Sequence, residues 1–215
     1  MGPSMTFAKM LTRIVPVLAV AAALAGCGIN TIPTRDEAVK AKWGEVQNQY
    51  QRRADLVPQL VATVKGAAAQ EKSVLIAVTE ARASAGRVQV DASTTTDPAK
   101  FGQYQASQDR LSGALFAVRQ LQETYPDLKT NQNFLTLQDQ LEGTENRIAN
   151  ARRDYNEAVQ SYNTALRTWP TQIWKGDAKP ALPFTAAPSS QTAPTVSFDT
   201  TPPPAPAGTT PVAPK

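Results

Sequence analysis

The sequence predicts an all-α fold. It reads as an antiparallel up-and-down bundle of three long helices, the first kinked at Pro58 and so countable as two, followed by a disordered Pro-rich tail. Three observations carry this reading. Apolar residues recur at alternating spacings of three and four through residues 34–85. A heptad runs from Phe134 to Trp169. Ten prolines crowd into Pro180–Pro214, where no apolar period survives. The resulting division is 1–26 as a signal peptide, 27–33 as a linker, 34–175 as the bundle and 176–215 as the tail.

The N-terminus is an address rather than a structural element. Lys9 and Arg13 precede an apolar run from Ile14 to Ala25, which ends in Leu24-Ala25-Gly26-Cys27. Charge, a short apolar run and small residues in that order are the layout of a secretory signal. A bilayer-spanning helix needs about 20 apolar residues, more than this Pro16-containing run supplies. Met5 is an alternative start that leaves the signal intact. The final tetrad resembles the bacterial lipoprotein box, in which cleavage precedes a cysteine whose thiol accepts diacylglycerol. Cys27 is therefore the expected lipidation site. Two or more acyl chains anchor stably where one does not. Gly28, rather than Asp, follows the cysteine; by resemblance to sorted lipoproteins this favours the outer membrane, on its extracytoplasmic side.

Composition excludes several functions. There is no histidine, the commonest general base and metal ligand. The one cysteine leaves neither an internal disulfide nor a thiolate zinc site. Removing Lys9 and Arg13 with the signal leaves 20 basic residues against 18 acidic ones, without the concentrated basic face of a nucleic-acid binder. No cofactor, metal or small-molecule substrate is expected.

The first helix is predicted to open at a capping box, Thr34-Arg35-Asp36-Glu37. Val39, Trp43, Val46, Tyr50, Val57, Leu60, Val64, Ala67, Val74, Val78 and Ala81 then fall on one helical face. Pro58 lies inside this run, and an interior proline costs about 3 kcal/mol. The stripe keeps its phase across it, which argues for a kink rather than a reversal, so Thr34–Ala85 reads as one kinked helix ended by Gly86. Arg53 and Glu71 interrupt the stripe. They are candidates for a polar layer that sets helix register, or for a partner site.

Residues Arg87–Thr96 read as a polar connection, with Asp91–Thr96 forming its turn. Asp97-Pro98 restarts a helix as a cap followed by a first-turn proline. Phe101, Tyr104, Leu111, Leu115, Val118 and Tyr125 mark its buried face, with Gln108 and Gln122 completing the period, and Pro126 ends it. The last helix, from about Thr130 to Trp169, carries Phe134, Leu141, Ile148, Tyr155, Tyr162 and Trp169 at intervals of seven. Leu137, Thr144, Ala151, Ala158 and Ala165 follow three behind, which is a heptad of large and mostly small core residues. Pro170 stops it. In the tail, Pro183-Phe184 and Val196-Ser-Phe198 are two short apolar islands that could dock.

Catalytic groups are scarce. Glu142 and Glu145 are helix-face neighbours and read as solvated, because a catalytic pair needs a cleft and a raised pKa. Arg152, Arg153, Asp154 and Glu157 read as surface ion pairs, and Asn146, Asn150, Asn156 and Asn163 as a solvated polar ridge.

The stretch Gln51-Arg-Arg-Ala-Asp-Leu-Val-Pro-Gln-Leu-Val-Ala-Thr-Val-Lys-Gly66 resembles the LemA family. So do Tyr125-Pro-Asp-Leu-Lys129, Asn133-Phe-Leu135 and Leu137-Gln138. The clearest run is Leu141-Glu-Gly-Thr-Glu-Asn-Arg-Ile-Ala149, followed by Ala151-Arg-Arg-Asp-Tyr-Asn-Glu-Ala-Val159 and Tyr162-Asn-Thr-Ala-Leu166. The resemblance spans about Asp36 to Trp174, and Val196-Ser-Phe198 looks like a remnant of the family's end. It implies a helical bundle on the outer face of a bacterial membrane, without known enzymatic activity or cofactor. Many members keep an uncut membrane helix; this chain departs from them in its lipoprotein box. The expected function is a non-catalytic, membrane-tethered scaffold or adaptor. Its partners are lipid, through acylated Cys27, and another envelope protein met through a helical face. The alternative is an accessory subunit or weak hydrolase acting in cell-wall or envelope-protein quality control.

Overall fold

A computed structural model describes residues 30–185. Cys27, the signal, and the tail beyond 185 with Val196–Phe198 lie outside the described residues. Helices dominate: α1 Thr31–Ala67, α2 Lys72–Arg87, α3 Pro98–Thr124, the short α4 Pro126–Thr130, α5 Gln132–Arg167, and a 3-10 turn Thr171–Trp174. Among the described residues there is no strand.

The first helix begins earlier than its capping box suggests. Asn30 is the N-cap, and Thr34 lies inside the first turn, its hydroxyl donating back to the Asn30 carbonyl at 2.7 Å. Asp36 and Glu37 both pair with Lys40 at 2.7 Å instead of serving the helix end. The helix then runs unbroken through Pro58, which sits on the exposed side.

The expected single helix 34–85 is in fact two. The chain leaves the helix at Ala68, reverses through residues 68–71, and α2 packs back along the second half of α1. Pro58 helps to hold this hairpin. A proline at 58 has no N–H to give the carbonyl four residues earlier, that of Ala54. Arg82 on α2 supplies the missing donor, its Nε reaching the Ala54 oxygen at 2.8 Å. Alanine-rich sequence on either side of the reversal hides it, because alanine favours helix everywhere.

The other boundaries match their signals closely. Asp97 accepts the Ala99 and Lys100 amides, with Pro98 at the first helical position. Asn131 caps α5 in the same way, through the Asn133 and Phe134 amides. Tyr125, before Pro126, leaves α3, but Pro126 also opens α4. The polar turn is tied by Asp91, which accepts from Lys100 Nζ at 2.6 Å.

The helices run up, down, up and down, in the order α1, α2, α3, α5. Arg35 meets Ser161, Lys42 meets Asp154 and Arg53 meets Glu145, so α1 and α5 are antiparallel neighbours. The core falls into two apolar clusters. One gathers Trp43, Val46, Phe101, Tyr104, Ile148, Tyr155 and Tyr162. The other gathers Leu60, Val64, Leu75, Val78, Leu111, Val118, Leu128 and Phe134.

Three heptad positions depart from expectation, among them Ala158, which is only half-buried. Trp169 is 76 % exposed, because α5 ends at Arg167 and the core no longer extends beneath it. Leu141 is only half-buried, for a reason the functional site makes clear. The boundary drawn at 176 also moves. Ala178–Phe184 lies along α5 as an extended strap, with Ala181 and Phe184 buried in the first cluster. Of the two apolar islands, Pro183-Phe184 docks.

Candidate functional site

Arg53 stands between the two apolar clusters at 1 % exposure, the largest fully buried side chain. Its helix keeps the stripe on the core side, so the guanidinium must find partners inside. Nη1 donates to Ser112 Oγ at 2.6 Å and to Glu145 Oε1 at 2.8 Å. Nη2 donates to Gln108 twice, to its carbonyl at 3.1 Å and its Oε1 at 2.8 Å. The charge also lies 5.0 Å from the centre of the Tyr50 ring. Nε has no partner. The layer thus joins α1, α3 and α5 at one height.

Glu71 does not belong to this layer. It lies in the 68–71 reversal, and its Oε1 accepts from Tyr125 Oη at 2.5 Å, tying that reversal to the end of α3. The bond holds the phenolic proton and raises the Tyr125 pKa. The two stripe-breaking residues therefore do the same kind of work at different heights. Glu145, expected to be solvated, is the counter-charge of Arg53, while Glu142 stays exposed and 4.0 Å from Arg119.

Arg152, expected at the surface, crosses the seam between α5 and α3. Its Nε donates to Tyr50 Oη at 2.5 Å and its Nη2 to Asp109 at 3.2 Å. Its charge lies 4.8 Å from the centre of the Phe184 ring. Burial pushes the Tyr50 hydroxyl pKa up, against the opposing pull of Arg152.

That ring belongs to the strap, which fills the lower half of the seam. Phe184 lies 5.0 Å from Phe101, 5.4 Å from Tyr155 and 5.9 Å from Trp43, centre to centre. Two asparagines read the strap backbone. Asn163 donates to the Ala181 carbonyl and accepts its amide, at 2.8 and 2.9 Å. Asn156 does the same for Phe184, at 3.0 and 2.8 Å. Seven helical residues rise about 10.5 Å, and three residues of extended polyproline-like chain about 9.3 Å; the two spacings nearly match. Leu182 donates its amide to the Thr95 carbonyl at 2.8 Å, and its own carbonyl accepts from Tyr155 Oη at 2.9 Å. Pro180 and Pro183 fall where no donor is needed. The heptad spacing of Asn156 and Asn163 was the signal for this ladder.

Above the strap the same seam stands open. Leu60, Leu115, Phe116, Val118, Phe134 and Leu141 line a groove of about 500 Å³. Phe116 is 60 % exposed within it. Arg119, Glu142, Glu145 and Gln138 line it too, and the buried Nε2 of Gln138 has no partner. Leu141 is half-buried because it faces this opening.

Among the described residues no cluster of acidic residues, cysteine or histidine could hold a metal ion. None of their helices is long and apolar enough to cross a membrane. The LemA family model matches residues 42–198. The chain belongs to the LemA family. The match takes in the Arg53 layer, both walls of the groove and the whole strap, and continues to Phe198. No curated protein matches the chain.

Proposed function

We propose that this LemA-family chain is a lipoprotein adaptor. Cys27 is its acylated anchor on the extracytoplasmic side of a bacterial envelope, at the outer membrane. The bundle recognises an apolar segment of another envelope protein and carries out no reaction of its own.

The observation that carries this reading is the open upper half of the α3–α5 seam. Its lower half already accepts an extended chain, bound by an aromatic anchor and asparagine contacts to backbone. The upper half offers comparable chemistry that no described residue covers: an apolar floor, an exposed Phe116 and an unpartnered Gln138 donor. Buried aromatic anchors in fitted pockets are where binding energy concentrates in protein interfaces.

A photo-crosslinking residue in place of Phe116 tests it in cells. The expected result is a discrete protein adduct from that position and none from Glu80, an exposed residue on α2. Gly113 also lines the groove, and a Cβ there meets nothing within 4 Å. Gly113→Leu should therefore fill the groove without disturbing the fold, and abolish the adduct. Equal crosslinking from both positions, or an adduct indifferent to Gly113→Leu, would overturn the proposal.

A further inference from the structure

The end of the bundle where the described chain begins carries a second feature that the groove does not use. Arg35 stands opposite Ser161 and Arg53 opposite Glu145, so Asn30 is level with about residue 167. The loop that follows α5 therefore caps this end. It is built firmly. The Thr168 and Gln172 amides bond to Thr164 and Thr168, at 3.0 and 2.9 Å. The Thr171 hydroxyl reaches the Ala165 carbonyl at 2.6 Å. The 3-10 turn packs on both α1 and α5. Gly176, at φ 51°, takes a left-handed turn as the chain enters the strap.

Such a rigid loop should not waste apolar side chains on water, yet three point outward. Trp169 is 76 % exposed, Ile173 63 % and Trp174 37 %. In the same stretch of sequence, Arg167, Lys175 and Lys179 outnumber the single carboxylate, Asp177. Tryptophan settles at membrane–water interfaces, where its ring is buried and its N–H stays hydrated. Basic residues beside it are drawn to anionic headgroups. Asn30 is three positions beyond Cys27, a reach of about 10 Å at full extension.

We infer that Trp169, Ile173 and Trp174 insert into the interface of the bilayer that holds the anchor. This second contact stands the bundle on its end and carries the α3–α5 groove away from the lipid. The inference rests on the acylation of Cys27, and its test separates the two.

The acylated full-length mature protein is reconstituted into vesicles of phosphatidylethanolamine and phosphatidylglycerol whose acyl chains are brominated near the headgroup. Flotation and the mass of the N-terminal peptide report the anchor. Tryptophan fluorescence reports the loop. The third tryptophan, Trp43, is a core residue 13 positions along α1 from Asn30, about 20 Å up the helix, out of reach of contact quenching. The expected result is blue-shifted emission quenched by the bromines. The double variant Trp169→Gln, Trp174→Gln should lose that quenching while still floating. Flotation with unquenched emission would overturn the orientation alone. An unacylated Cys27 without flotation would overturn the anchor and the orientation together. Concentration-dependent dimerisation that shields the same tryptophans from lipid would show a second copy as the occupant, and would also overturn it.

Discussion

Arg53 loses the hydration of a full positive charge, a cost that an apolar residue at this core position does not carry. What it gains is definition: Ser112, Gln108 and Glu145 can meet it at only one height of α3 and α5. Arg53→Met leaves the Gln108 amide and the Glu145 carboxylate without their donor. It should destabilise the bundle by about 3 kcal/mol, as broken buried networks do. Adding Gln108→Leu should recover part of the loss, because the orphaned amide is then gone. Urea unfolding of both variants measures this; a neutral Arg53→Met would end the register reading. The sequence shows Arg53 as a break in one apolar stripe and Gln108 as a polar member of another. It does not show Glu145 as their partner, because that pairing spans 92 positions and its carboxylate is 43 % exposed.

At the scale of elements, the Asp97-Pro98 start and the stops before Pro126 and Pro170 are local chemistry and were legible. The Thr34 box misplaced the start of α1, and Asn131 was not singled out. Asp97 and Asn131 each satisfy two free amides at a helix start. The reversal at 68–71 was not legible, because nothing in Gly66–Glu71 forbids helix. It is decided by what α2 covers, including the carbonyl that Pro58 leaves bare. The strap is the other element that composition conceals. Its prolines read as a spacer, yet they occupy the positions that need no donor, and Phe184 supplies the burial. Asn163→Ala should expose the Ala181 amide, raising its hydrogen-exchange rate while the α5 amides stay protected. Phe184→Ala should cost about 3 kcal/mol or more, by analogy with other buried aromatics. Unchanged exchange at Ala181 and an unchanged melting temperature would mean that the strap is not held as described.

At the scale of the whole molecule, the anchor and the bundle are separable claims. Cys27→Ala should remain uncleaved and lack the acyl mass, as mass spectrometry of the N-terminal peptide would show; normal maturation of that variant would refute the lipoprotein reading. The bundle should fold regardless, because among the described residues those after Asn30 already supply two apolar clusters and the Arg53 layer.

The sequence alone determined the helical class, most of the core faces and most helix ends, along with the family. These follow from periodicity and from side chains acting within a turn or two of themselves, which is information that a linear chain carries locally. Only the tertiary structure decided that α1 and α2 form a hairpin, that Glu145 is a counter-charge, that the strap belongs to the core, and that half of the α3–α5 seam is left open. Each of these depends on groups brought together from 18 to 92 positions apart, beyond the reach of one element, where the competing local preference, helix for the reversal and solvent for the charge and the strap, is satisfied equally well until the bundle closes.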